Sequence, residues 1–364
     1  MKYLEEFRDL KLCQRLAAKI KEIAGIDKIQ LMEVCGTHTM AIHKFGIKSL
    51  LPENIRLISG PGCPVCVTPN EYMDRAISLS FAPDVMVTSF GDMLRVPGSS
   101  RSLEQARAQG GKVRMVYSPM DALHLADENP GMRVVFLAIG FETTSPTIAA
   151  TLAQAERQGN KNFFVLVGHK LVPPAMKALV DNKKVAVNGF ICPAHVSTII
   201  GTRPYRFLAD DYHIPCVVTG FEPIDVLQGI LMLVEMIKNK KPEVKNQYLR
   251  VATESGNEKA QAILSKTFEP EDSNWRGLGT IPGSGYQLRP EFSGRDAEKM
   301  IAVEVEPTRE HKGCKCGEVL QGLIEPSECP LYANPCTPER PIGPCMVSSE
   351  GTCAAYYKYV GVET

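Results

Sequence analysis

Eight short apolar runs, set between segments of helical periodicity, constrain the fold of this chain more than any other feature of its sequence. They are IQLMEV (29–34), IRLIS (55–59), DVMVTSF (84–90), VRMVY (113–117), RVVFLAIG (133–140), FFVLVG (163–168), VNGFIC (187–192) and IPCVVTG (214–220). Several are hydrophobic almost without a break, the pattern of a strand covered on both faces, and strands alternating with helices read as parallel sheet in an α/β fold. The spacing predicts helices over EYMDRAISLSF, over the stretch after Ser145 and over IDVLQGILMLVEMIKNK. At 364 residues the chain has room for two or three domains of about 100–150 residues. The expected organisation is an N-terminal helix over 1–28, an α/β domain over 29–130, a second over 131–240 and a C-terminal region over 241–364, with DENPG as the turn near residue 130.

In the first segment Tyr3, Leu4, Phe7, Leu10, Leu16, Ile20 and Ile23 fall near one helical face with charges between them, unlike the apolar core of a secretory signal. No stretch reaches the roughly 18–20 apolar residues of a membrane span. The 41 basic and 41 acidic residues cancel without a Lys/Arg-rich block, so neither nucleic acid nor an anionic membrane is an expected partner. The chain therefore reads as cytoplasmic, with proteins and small ligands as partners. In a reducing compartment its twelve cysteines favour metal ligation or catalysis over structural disulfides.

Six of the twelve crowd the end of the chain, in GCKCGEVLQGLIEPSECPLYANPCTPERPIGPCMVSSEGTCAAYYKY. Cys329, Cys336, Cys345 and Cys353 are spaced C-x6-C-x8-C-x7-C, with prolines shaping the loops between them. A segment this rich in Gly, Pro and Cys buries little apolar side chain and needs a metal or cluster to hold it. Four thiolates on stiff loops can surround a 4Fe-4S cube. Zinc is the competing metal, but its usual sites bring ligands in close C-x2–4-C pairs, which these four lack. Cys314 and Cys316, as C-x-C, stand outside this first-choice set as substitute ligands or a redox pair.

Two further motifs follow strands, where an open α/β sheet binds its ligands. In EVCGTHTMAIH, Cys35 and His38 lie in the turn after the first run. A thiolate at Cys35 would gain from helix N-terminal N–H groups, and His38 would be a second ligand or proton carrier. The plain alternative is a buried Cys beside a capping Thr. His43 reads as a surface helix residue. In SGPGCPVCVTP, Cys63 and Cys66 form a C-x-x-C pair suited to disulfide exchange, the depressed pKa of one making it the attacking thiolate. The same spacing is also half of a zinc site, and no second C-x-x-C completes one. The loops GFETTSP, GHKLVPP, CPAHVSTIIG and TGFEPID set Glu142, His169, His195 and Glu222 at strand ends, the rim of a polar cleft. Cys192, Cys216 and Cys13 read as buried small hydrophobes. No P-loop, dinucleotide fingerprint or G-x-S-x-G elbow is present.

Taken together, EVCGTHT, SGPGCPVCVTP, GFETTSP, PAHVSTIIG and the ending GCKCGEVLQG…CPLY…C…PIGPCMVSSEGTCAAYY resemble the HypD family, which serves in nickel-iron hydrogenase maturation. The resemblance runs from the first helix to the last tyrosines. It implies two Rossmann-like α/β domains plus a third, Cys-rich domain formed from the chain ends and carrying a 4Fe-4S cluster. It also implies a scaffold, shared with the chaperone HypC, on which iron receives two cyanides and one carbon monoxide. The cyanide would come from HypE as a thiocyanate, and the finished unit would pass to the hydrogenase large subunit. Carried over motif by motif, Cys35 would bind this iron together with a HypC cysteine, and His38 would lie beside it. Cys63 and Cys66 would be the redox pair, and Cys329, Cys336, Cys345 and Cys353 the cluster ligands. A stand-alone disulfide reductase of the ferredoxin-thioredoxin reductase kind, and a non-catalytic iron-binding scaffold, are the rival expectations.

Overall fold

A computed structural model describes residues 5–361; Tyr3 and Leu4 of the first helical face lie outside the described residues. All eight apolar runs form strands, and they assemble into two parallel sheets. The first holds β1 (Ile29–Glu33), β2 (Ile55–Ser59), β7 (Gly189–Pro193), β8 (Cys216–Thr219) and β9 (Val244–Asn246) in the order β2-β1-β7-β8-β9. The second holds β3 (Val85–Ser89), β4 (Val113–Met115), β5 (Arg133–Ala138) and β6 (Phe163–Val167) in the order β4-β3-β5-β6. Burial explains the near-continuous hydrophobicity, since every residue of β5 beyond Arg133 is buried.

The expected domain limits do not hold. The chain leaves the first sheet after β2, builds the whole second sheet, and returns for β7 to β9. The DENPG turn near residue 130 lies inside the second sheet, between β4 and β5, because a turn signal is local and carries no information about strand pairing. Residues 241–364 are not a separate unit either. β9 closes one edge of the first sheet, and β10 (Phe268–Trp275) and β11 (Gly279–Leu288) form an antiparallel hairpin. Phe268 and Leu288 of that hairpin share a core with Phe136 and Phe163 of the second sheet.

Helix α1 (Leu10–Ala24) begins at Asp9, whose carboxylate caps the Leu12 N–H. It buries Cys13, Ala17, Ile20 and Ala24, while Leu10 of the expected face is 65% exposed. Two more helices position the site, α2 (Gly36–Lys44) and α3 (Asn70–Phe81). The partner of α1 is α4 (Pro223–Lys238), an apolar helix over the first sheet, and not the C-terminal region expected from the sequence. The last helix, α5 (Thr352–Tyr359), instead packs on α2. It carries Tyr356 against His43, which is thereby buried, with its pKa lowered to about 4 by desolvation, and is not a surface residue.

Candidate metal and thiol centre

In each parallel sheet the direction of strand addition reverses once, between β1 and β7 in the first and between β3 and β5 in the second. Ligands in such sheets bind beyond the carboxyl ends of the strands at that reversal. Cys35 lies there, two residues beyond the end of β1, and Ala194 and His195 follow β7, the neighbouring strand.

Cys35 is held in extended conformation at the head of α2. Its N–H donates to Glu33 Oε2 at 2.9 Å, and Thr39 donates its hydroxyl to the other oxygen of the same carboxylate. The expected stabilisation of a thiolate is present, from the N–H groups of His38 and Thr37, but it loses. Burial first, then the negative charges of Glu350 and Glu33, push the Cys35 thiol up to about 12. A cation arriving at this sulfur would reverse that balance and take up the thiolate.

His38 is fully buried, and burial lowers its pKa to about 4. Its Nε2 lies 3.0 Å from the Gly220 carbonyl and 2.9 Å from Thr219 Oγ1. A carbonyl can only accept, so Nε2 carries the hydrogen and the neutral ring leaves a bare lone pair on Nδ1. Nδ1 is buried without a partner. Phe221 spaces the two imidazoles, with its ring centroid 4.7 Å from His38 and 4.3 Å from His195.

The C-x-x-C loop packs directly on this site. Gly36 donates its N–H to Gly62 O at 2.8 Å, and a Cβ on Gly62 would lie 2.1 Å from the Cys35 nitrogen, so only glycine permits the approach. Cys63 heads the single turn Pro64–Val67, which brings Cys66 round beside it so that the two thiols influence each other electrostatically. The expected low-pKa thiolate is not found at Cys66, whose thiol burial raises well above the ordinary range. Cys66 also meets Cys345 and the Pro344 carbonyl of the tail.

The sulfur contacts continue from there. Cys345 touches Cys316 and Cys353, and the three sulfurs lie within 4.8 Å of one another. Cys314 and Cys316 both point their sulfurs at Gly343, each 2.6 Å from where a Cβ on that residue would lie. Cys316 and Cys353 of this triad also line a small, partly enclosed cavity, together with Cys314, Cys329, Cys336, Leu331, Tyr332, Gly343 and Met346. Of the four cysteines first expected to hold a cluster, Cys329, Cys336 and Cys353 line the cavity, and Cys345 lies at its side in the triad with Cys316 and Cys353 and also meets Cys66. Cys314 and Cys316, set aside on spacing, line it. Cys336 Sγ accepts the Ile342 N–H at 3.3 Å, and the Tyr332 hydroxyl is buried with no acceptor. Five cysteines drawn from separate loops, with a backbone N–H aimed at one sulfur and an orphan donor beside them, fit an iron-sulfur cluster.

Glu350, between Cys345 and Cys353 in sequence, joins the two centres. It accepts the Thr37 hydroxyl at 2.7 Å and lies close against Gly36. The expected polar cleft of four loops is divided. His195 and Glu222 follow strands of the first sheet, and Glu222 pairs with Arg8 at 2.8 Å. Glu142 and His169 follow β5 and β6 of the second sheet and are buried, with pKa values moved by desolvation to about 7 and about 3.

A profile of the HypD family, described as "Hydrogenase formation hypA family", matches residues 11–360. The chain is 49% identical over 367 residues to the hydrogenase expression/formation protein HupD of Azotobacter chroococcum mcd 1, covering 99% of this chain and 97% of that protein. It is 49% identical over 367 residues to the hydrogenase maturation factor HypD of Azotobacter vinelandii, with the same coverage of 99% and 97%. Against the hydrogenase maturation factor HypD of Escherichia coli strain K12 it is 44% identical over 366 residues, 99% of this chain and 98% of that one. With both thiol motifs and the cysteine tail inside the matched region, the chain belongs to the HypD family of hydrogenase maturation factors.

Proposed function

We propose that this chain is the scaffold on which iron acquires cyanide and carbon monoxide, working with a HypC-type chaperone and a HypE-type cyanide donor before the unit passes to the hydrogenase large subunit. The observation that carries this reading is the gathering of the Cys63 and Cys66 loop against the Cys316, Cys345 and Cys353 triad through Pro344, beside a Cys35 that Gly62 ties to the same loop.

The iron is cargo. Cys35 sulfur and the free lone pair of His38 Nδ1 are the donors this chain offers it, and thiolate suits an iron that must later be handed on. Cyanide release from a thiocyanate breaks an S–C bond and takes two electrons and a proton, leaving a thiol and cyanide. Oxidation of the Cys63 and Cys66 thiols to a disulfide releases two electrons and two protons, so the two halves balance with one proton left over. The Cys66 thiol, which burial keeps protonated, holds its share of these electrons until a reaction partner draws the proton away. We assign Cys314, Cys329, Cys336 and Cys353, which line the cavity, as ligands of a 4Fe-4S cluster, and place Cys345 in the thiol path with Cys66 and Cys316. When bound, the cluster supplies electrons singly to restore the oxidised pair.

The test is anaerobic purification with the chaperone, followed by iron and sulfide analysis and infrared spectroscopy in the cyanide and carbonyl region. Cluster iron plus diatomic bands is the expected result. Zinc or no metal, with no such bands, would end the reading.

A further inference from the structure

The Tyr332 hydroxyl has no role in the scheme above and no hydrogen-bond partner among the described residues. Tyr332 sits between Cys329 and Cys336 in a loop that closes on itself, with its N–H donating to Cys329 O at 2.9 Å and Cys336 N–H donating to Leu331 O at 2.8 Å. The phenol ring is wedged edge-on against Tyr356 and Tyr357 of α5, with centroids 5.9 and 6.1 Å away. Loop and rings together keep the side chain from swinging out to water. Its oxygen is buried without an acceptor, and the residue lines the sulfur cavity.

A buried O–H without an acceptor is rare in a folded protein, because the group has given up water for nothing. The rest of the cavity lining is cysteine sulfur, Leu331, Gly343 and Met346, so the acceptor that completes the site must be sulfur carrying negative charge. A protonated thiol is a weak acceptor, whereas an iron-bound thiolate or a sulfide is a good one.

We propose that Tyr332 is a positioning residue that donates its hydroxyl hydrogen to a sulfur of the cluster and thereby raises the reduction potential. This rests on the cluster assignment above. Reduction adds negative charge that spreads onto the sulfurs, so the O–H···S bond is stronger in the reduced form and favours it. The tyrosine therefore helps decide whether electrons rest on the cluster or pass on to Cys345 and Cys66.

The experiment is a potentiometric titration, followed by electron paramagnetic resonance, of the anaerobic full-length protein and of Tyr332→Phe, with iron and sulfide measured on each. We expect Tyr332→Phe to keep its iron and sulfide and to lower the potential by about 59 mV, which is a tenfold change for a one-electron couple. An unmoved potential at full cluster content overturns the proposal and leaves the cluster assignment intact. A wild-type protein with no cluster overturns both. Should Tyr332→Phe lose its cluster, 3-fluorotyrosine placed at position 332 keeps the shape and strengthens the donor. It must then raise the potential, and no rise overturns the proposal.

Discussion

Gly343 offers the sharpest test of where the cluster sits. Its backbone, at φ −107° and ψ 151°, is in a region any residue adopts, so replacing it with alanine adds a methyl group and no backbone strain. That methyl carbon would lie 2.6 Å from Cys314 Sγ and 2.6 Å from Cys316 Sγ. Ordinary contact for such atoms is about 3.5–4.0 Å, so each sulfur must retreat by roughly 1 Å. Free thiols can do this by rotating about one bond, and the metal-free protein should lose no more than about 1–3 kcal/mol. A ligating thiolate cannot, because metal-ligand distances are set to about ±0.2 Å. We therefore expect Gly343→Ala to fold, with a modest fall in melting temperature, and to retain only a small part of the wild-type iron and sulfide after anaerobic reconstitution. Gly294→Ala is the control, since a Cβ there meets nothing within 4 Å. Wild-type iron and an unchanged cluster spectrum in Gly343→Ala would refute the placement of iron among Cys314 and its neighbours.

Exchange of Cys345→Ser should leave iron content near wild type but stop Cys63 and Cys66 from being reduced through the cluster, whereas Cys314→Ser should lose iron; thiol titration and iron analysis on both variants separate the roles, and the reverse pattern would return Cys345 to the ligand set. Cys35→Ser, made with the chaperone present, should keep cluster iron and lose the cyanide and carbonyl bands, and bands at wild-type intensity would remove Cys35 from the iron site. Acid should destabilise the fold through His43, whose folded pKa of about 4 lies below the ordinary 6.5. The stability it supports is complete above pH 6.5 and lost as pH falls through 4, by at most about 3 kcal/mol. His43→Phe should flatten the acid limb of a denaturant series over that interval, and an unchanged slope would show that the ring protonates freely in the fold.

The strands were legible because a strand covered on both faces must be apolar at nearly every position, as β5 and β6 are. β9 was not, since VKN is a three-residue edge strand with no buried side chain. Nor was the hairpin. Its sequence holds Pro270, Pro282 and four glycines, and a register shift between Glu271 and Ser273 breaks the alternation that would have marked it. Pairing is a global property, so the interleaving of the two sheets left no trace in any local run. The cysteines show the same limit. Spacing along the chain marked the tail as a candidate metal site, but which sulfur faces which depends on how the Pro344–Cys345 segment docks against Cys66, a contact across more than 270 residues. Tyr332 and Glu350 carried one faint signal, their position between cysteines of the tail.

Glu350 shows why the tail must fold over the first sheet and could not serve as a detached cluster module. The loop from Cys345 to Cys353 presents sulfur to Cys66 on one side and a carboxylate to Thr37 on the other, so one segment touches both thiol motifs. Its negative charge is one of the causes that keep the Cys35 thiol protonated, and under the proposed function this is the sulfur that would lose its proton to iron. Removing the charge while keeping the shape, in Glu350→Gln, should therefore lower the Cys35 pKa and speed alkylation of Cys35 at pH 8, as thiolate fraction controls that rate. Alkylation no faster than wild type, with Cys35 identified as the modified residue by mass spectrometry, would show that burial alone sets the thiol and that the tail does not govern the iron site through this carboxylate.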